Sequence, residues 1–310
     1  MKKARVTVGF SCALEVVCRG IETGAAGSKL NGVIELELGG TSFNVAVALS
    51  QAGFSPHLVA TIGGHDEFAP IVRQKLKATG IEASLFPVRK RTPVSLLLPE
   101  KKWLLTDRRG MDRPLRAAEL EELHRHAAPT RVVTGLLPDA DEVKIARALF
   151  RHQTPDRRLN ILNPRASLVV SDLFDLLLPQ INWLVLNREE SEFFFGLGSR
   201  VDQFLHRHNT VLVVTRDTEG AQVLTGGARY RIPAYPDIAV VQETGAGDCF
   251  LGYFLASYLQ KMPWQMCLKR AVVAAGLKVS RPGSASAPER HEVDVCVAGW
   301  HEEVAVDSVT

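Results

Sequence analysis

Six short runs of β-branched and aliphatic residues, each closing on Gly, Asn or Thr, recur along the chain with helical patterns between them. "RVTVGF", "VATIGG", "VVTGLL", "LNILNP", "WLVLN" and "TVLVVT" read as buried strands. "TSFNVAVALSQAG", "FAPIVRQKLKATG", "RAAELEELHRHA", "DADEVKIARALFRH" and "NREESEFFFG" have helical periodicity, and several stop at a Gly suited to a helix C-cap. Strand alternating with helix restricts the fold to a doubly wound α/β sheet, mostly parallel, with ligands at the carboxyl ends of its strands. At 310 residues the chain, 1–310, is expected to form a single domain of this kind.

Two segments break the rhythm. About 12–38 and 86–109 alternate apolar with polar residues and carry turn residues, which suggests antiparallel ribbons inserted as a small β-sheet lid. The apolar face of such a sheet can pair with a second copy to make a homodimer. Elsewhere the composition excludes rather than identifies. A net charge of +3, from 37 Lys+Arg against 34 Asp+Glu, gives no basis for a nucleic-acid partner. No run reaches the ~18 apolar residues of a membrane span. Five cysteines at wide spacings form no disulfide framework, and the basic start is interrupted by Arg5 and Glu15, so a cytoplasmic protein without a leader is expected.

The stretch "QETGAGDCFLGYFLASYLQ", residues 242–260, puts Gly245, Ala246, Gly247 and Asp248 before Phe250, Leu251, Phe254, Leu255, Tyr258 and Leu259, which recur as one apolar stripe. A helix therefore begins near Gly245 or Ala246. Its glycines leave the first backbone amides open to an anion, which the helix dipole also favours. Neither a GK[ST] sequence nor a GxGxxG fingerprint is present. Asp248 in the first turn has two readings: it complements the dipole, worth ~0.3–1 kcal/mol, or it takes a proton from a hydroxyl that attacks the bound anion.

These residues resemble the ribokinase-like, or PfkB, carbohydrate kinases. Their signature is similar to "DTxGAGDxF", matched here at Thr244, Gly245, Ala246, Gly247, Asp248 and Phe250. The resemblance implies Asp248 as catalytic base, with the preceding amides holding the transferred phosphoryl. "GGTSFNVAVALSQAG" resembles the segment whose glycines and asparagine contact substrate hydroxyls, giving Gly39, Gly40 and Asn44. "LNREESEFFFG" is similar to the "NxxE" motif and puts Asn187 and Glu190 near magnesium and the triphosphate, Glu190 holding Mg²⁺ through water. "VVTRDTEGA" resembles the nucleotide loop and yields Thr215 and Gly220; the two ribbons match the family's lid. Arg109 and Arg165 fall where relatives that bind acidic or phosphorylated sugars carry arginines. ATP and Mg²⁺ are the implied cofactors, and a small sugar or related polyol is the implied substrate.

Plainer readings stand beside these. Glu190 can be a solvent-facing helix residue, Asn187 a helix cap, Gly39 and Gly40 a turn, Asn44 a local backbone partner, and Arg109 and Arg165 surface residues. The sequence also departs from the family pattern. Gln242 replaces the aspartate that helps bind an activating monovalent cation in many members, which puts a K⁺ requirement in doubt. Cys12 and Leu14 stand where the sugar-gripping "NxD" is expected, with Glu15 one position off, on what strand alternation makes the opposite face. Asp217 replaces a glycine of the nucleotide loop. The reading is an ATP-dependent kinase that phosphorylates a hydroxyl of a small sugar or sugar acid. A nucleoside kinase of the same fold, or a ligand-binding regulatory protein that lost efficient turnover, are the alternatives.

Overall fold

The computed structural model describes residues 5–20, 31–98, 103–107, 115–151, 158–196, 204–205 and 210–308. The strands, numbered along the chain, are β1 (Arg5–Phe10), β2 (Ala13–Arg19), β3 (Val33–Gly39), β4 (Ser55–Gly63), β5 (Glu82–Val88), β6 (Val94–Leu98), β7 (Trp103–Asp107), β8 (Thr130–Thr134), β9 (Leu159–Asn163), β10 (Trp183–Leu186), β11 (Val211–Thr215), β12 (Ala221–Leu224), β13 (Ala228–Ile232) and β14 (Ala305–Ser308). Ten of them make one sheet in the order β14-β13-β12-β11-β10-β9-β8-β1-β4-β5. From β11 across to β5 every pairing is parallel. The chain leaves β1 in one direction toward β4 and β5 and later fills the other side with β8 to β11, so the topological switch lies beside β1.

All six expected strands are present, and each is buried on both faces, which is why they read as continuous apolar runs. On β8, β10 and β11, Val132, Val185 and Val213 point into one core, while Val133, Leu184 and Leu212 point into the other. Helices α1 (Thr41–Gln51), α7 (Ala246–Leu259), α8 (Trp264–Val279) and α9 (Arg290–Gly299) cover the first face. Helices α3 (Ala117–His126), α4 (Ala140–Arg151), α5 (Ala166–Val169) and α6 (Arg188–Gly196) lie toward the second. Helix α2 (Ala69–Thr79) packs through Val72 and Leu76 against a third cluster that joins Leu14 and Leu38 of the small sheet to Leu58 and Ile62 of β4. It stops at Gly80 in the left-handed conformation, as a C-cap glycine should.

Two expectations are corrected. The segment from 86 does not all belong to the lid: Phe86 to Val88 complete the edge strand β5, parallel to β4, and the lid takes up the chain at Val94. The lid itself is a four-stranded sheet, β3-β2-β6-β7, in which two antiparallel ribbons join through a parallel β2–β6 pair. The far edge of the large sheet, β12 to β14, is antiparallel, because the "LTGGA" turn closes a hairpin in which Thr225 and Ala228 bond through their backbones.

The second correction concerns α7. A single apolar stripe was expected, yet every residue from Asp248 to Ser257 is buried, because α7 is wedged among α1, α8 and the sheet. A Cβ at Gly252 would collide with the Cβ of Ala48 on α1. Glycine at that crossing lets the two helices approach closely.

Candidate active site

The carboxyl ends of five parallel strands open into one cleft of about 280 Å³. Ser11 follows β1, Gly135 follows β8, Asn163 ends β9, Asn187 follows β10 and Thr215 ends β11; all line it. Ser95 and Thr106 of the lid and the start of α7 complete the wall.

Gly245 enters α7 with φ 89°, a left-handed conformation, and a Cβ there would collide with the Ser284 carbonyl. Gly245, Gly247 and Asp248 face the cleft. Ala246 is not among the lining residues, and its N–H donates to the Glu243 carbonyl at 3.1 Å. Asp248 is buried and accepts a 2.8 Å hydrogen bond from the Asn44 side chain on α1. Burial raises its pKa to about 7; the Asn44 hydrogen bond works against that rise and the charge of Glu15 adds to it. A carboxylate poised near neutrality is suited to accepting a proton and giving it up again.

The glycines before α1 have steric reasons. Gly40 adopts φ 93°, with the carbonyl and hydroxyl oxygens of Ser11 3.0 Å from where a Cβ would stand. A Cβ at Gly39 would collide with the Glu15 carboxylate. Gly40 and Asn44 line the cleft; Gly39 stands behind it, making room for Glu15. Strand alternation is kept, but its phase is the reverse of that expected from the motif alignment. Ser11, Ala13 and Glu15 face the cleft, while Cys12 and Leu14 are buried in the core beneath. Glu15 accepts a 2.6 Å hydrogen bond from the Ser284 hydroxyl. Its pKa is raised, chiefly by burial, with the Ser284 bond opposing. Arg165, at the entry to α5, lines the cleft, and its charge reaches both Asp248 and Glu190. Arg109 lies outside the described residues.

On the other side of the cleft Asn187 and Glu190 cap α6 reciprocally. The Glu190 N–H donates to Asn187 Oδ1 at 2.8 Å, and the Asn187 N–H donates to Glu190 Oε2 at 2.9 Å. Burial raises the Glu190 pKa to about 7. Thr215 lines the cleft, whereas Gly220 does not. Gly220, at φ 88°, is pressed against the end of β13, where a Cβ would collide with the Ile232 carbonyl. Asp217 adopts φ 49°, a left-handed conformation that aspartate tolerates better than most residues.

A family model described as "pfkB family carbohydrate kinase" matches residues 14–290. The chain belongs to that family. Among its curated relatives, a 2-dehydro-3-deoxygluconokinase from Thermoproteus tenax is 24% identical over 277 residues, covering 80% of this chain and 81% of the relative. A ribokinase from Lactococcus lactis is 25% identical over 290 residues, covering 90% and 92%. A putative ribokinase II from E. coli, solved in complex with ATP and Mg²⁺, superposes with a TM-score of 0.76 at 16% identity, over 97% of this chain and 100% of the other.

In this pfkB family kinase the residues fit a magnesium ion. Among the described residues no group of three or more His, Cys, Asp or Glu could hold a metal alone. Mg²⁺ does not ask for one, since it keeps several waters and takes one or two carboxylates together with phosphate oxygens. Glu190, a single carboxylate in the cleft wall, is that kind of donor. Sequence reasoning on this kinase passed over Ser11, Thr41 and Asn163, all cleft residues. The available signal was positional, because polar residues just after the apolar runs of a doubly wound sheet stand at its ligand-binding edge.

Proposed function

We propose that this carbohydrate kinase transfers the γ-phosphoryl group of ATP to a hydroxyl of a small sugar or sugar acid, with Asp248 as general base. The observation that carries the reading is the placement of Asp248: buried, held by Asn44, and in the first turn of a helix whose glycine-lined start opens into the cleft. Asp248 accepts the proton of the attacking hydroxyl, and the Gly245 and Gly247 amides face the charge that builds on the phosphoryl oxygens. Glu15, with Ser284 fixing one of its oxygens, accepts hydrogen bonds from the sugar's other hydroxyls. Arg165 offers a cation to a carboxylate or phosphate on the substrate. Glu190, through water, and Asn187 beside it would hold Mg²⁺, which would supply positive charge to offset that of the phosphates.

Arg165 and the relative named 2-dehydro-3-deoxygluconokinase support the sugar-acid arm. Glu15 supplies an acid in the cleft despite the loss of the "NxD" aspartate, which weakens the case for a regulatory protein. We also infer ATP as phosphoryl donor, a cytoplasmic location suited to five free cysteines, and pairing of two copies through exposed Ile34 and Leu105 of the lid. No helix among the described residues is long and apolar enough to cross a membrane.

The test is substrate-dependent ADP release from Mg-ATP across sugars, sugar acids and nucleosides, run beside Asp248→Asn. Activity with sugars or sugar acids that the variant loses supports the reading. Turnover of nucleosides alone replaces it with the nucleoside kinase. Ligand binding without turnover replaces it with the regulatory protein.

A further inference from the structure

Lys278, near the end of α8, is fully buried, and nothing in the mechanism above uses it. Its Nζ donates a 2.9 Å hydrogen bond to the backbone carbonyl of Gln242, at the head of the turn that leads into α7. Its Cε lies 3.4 Å from the position a Cβ would take on Gly245, so the lysine stem packs against the first glycine of the anion site. The turn is fastened to the end of α8 from its other side too. The Val241 and Gln242 amides both donate to the Val279 carbonyl, at 2.8 and 3.0 Å, and the Gln242 side-chain oxygen accepts from the Gly283 amide at 2.8 Å.

The charges around this ammonium explain how it stays in the interior. Burial lowers its pKa to about 8, still above neutrality, while the carboxyl groups of Asp248, Glu15 and Glu37 oppose that fall. A buried ammonium needs nearby carboxylates, and here they come from the lid, in Glu15 and Glu37, and from α7, in Asp248.

The resemblance implies an activating monovalent cation beside this turn, and the residues present do not fit one. Gln242 brings no charge; its side-chain oxygen is engaged by Gly283 and its backbone oxygen by Lys278. A second cation beside a buried ammonium would be repelled.

We propose that the Lys278 ammonium is the built-in cation of this site. It is a positioning residue that shapes the 242–245 turn and supplies positive charge behind the phosphoryl-binding amides, so that no exchangeable monovalent cation is required. The part concerning phosphoryl charge rests on the kinase reading; the absence of a cation requirement does not.

Two measurements test it separately. In the first, thermal unfolding of the wild-type protein and of Lys278→Ala is followed in tetramethylammonium, sodium, potassium and ammonium chlorides at equal ionic strength. The wild type is expected to unfold at one temperature in all four, and the variant to be raised selectively by potassium or ammonium. In the second, turnover of the wild type is expected to be indifferent to the cation. Lys278→Ala is expected to lose about 100-fold in kcat, the scale of one oxyanion donor, with a smaller change in KM and partial recovery in ammonium or methylammonium. Selective activation or stabilisation of the wild type by K⁺ overturns the proposal. So does a folded variant with unchanged kcat, or one whose loss no cation relieves. If Lys278→Ala does not fold, Lys278→Met is used, and failing both the wild-type cation series decides alone. If no substrate supports turnover, the kinase reading falls and the unfolding series still judges the built-in cation.

Discussion

Asn44 and Asp248, 204 residues apart in sequence, are joined by a 2.8 Å hydrogen bond from the Asn44 amide to the carboxylate. The bond ties α1, which follows Gly39 and Gly40, to α7, which starts after Gly245 at the cleft. One contact thereby joins the two sides of the cleft above the Ala48–Gly252 crossing.

Replacing Asp248 with Asn keeps the size of the side chain and an acceptor for Asn44 but removes the base. Turnover is expected to fall by about 10²–10⁴-fold, with little change in the binding of substrate or Mg-ATP. In the wild type the acid must lose its proton to work, so kcat/KM is expected to climb as pH rises and to level off above about 7. Steady-state kinetics from pH 5 to 9 checks both.

The same substitution is expected to stabilise the protein in neutral and alkaline solution. The Asp248 pKa is raised from 3.8 to about 7 on folding, so between those values the unfolded chain releases a proton that the folded one keeps. Wild-type stability therefore falls through this window by up to ~1.4 kcal/mol per pH unit from this group. Asp248→Asn escapes the loss. Its Tm should match the wild type near pH 4, exceed it by pH 7 and gain nothing further above that.

Glu15→Gln should separate substrate grip from base strength. A neutral amide weakens the hold on sugar hydroxyls, and KM for the sugar is expected to rise about 10-fold, the equivalent of one hydrogen bond to a charged group. The Glu15 charge is also one of the influences that raise the Asp248 pKa. Removing it should move the acid limb of the pH profile to lower pH. An unmoved limb would refute the electrostatic link.

Glu190→Gln retains the capping geometry, since Gln serves at the third helical position as Glu does. Near pH 4, where the carboxyl is protonated in the folded state, the unfolding temperature should stay close to that of the wild type, and by pH 7 the variant should be the more stable because it escapes the cost of ionising a buried acid whose pKa is raised to about 7. The Mg²⁺ concentration needed for half-maximal activity should rise by roughly tenfold, the low end for removal of a group supporting a bound metal. An unchanged Mg²⁺ demand would make Glu190 a cap and nothing more.

Gly252→Val places branched bulk where a Cβ already collides with Ala48. Pushing α1 away from α7 should cost about 1–3 kcal/mol. Because Asn44 and Asp248 lie one helical turn above that crossing, kcat should also fall. Urea unfolding and kinetics on the same preparation check the two together.

Much of the molecule was legible in one dimension. Both faces of the central strands meet cores, so their apolar runs were unbroken and their carboxyl ends could be found by reading to the next polar residue. The α7 signature was equally plain, because its residues are adjacent in the chain and the left-handed entry at Gly245, pressed against Ser284, needs a glycine. The antiparallel edge was less legible: β14 is exposed throughout and carries no burial pattern, and β13 alternates over only five residues.

The sequence by itself determined the doubly wound sheet, the lid, and the local chemistry of the Gly245–Asp248 turn, because each depends on periodicity or on residues adjacent in the chain. Only the tertiary structure decided which face Glu15 presents, what Lys278 is for, and why Gly252 must lack a side chain. The phase of β2 depends on where β1 ends and the chain turns at Ser11 and Cys12, which a motif alignment cannot see. Lys278 reaches the 241–245 turn only because α8 ends against it, and its buried charge lies among carboxyl groups brought there by the lid and by α7. Long-range electrostatics and helix crossings are properties of packing, and they appear when distant segments meet.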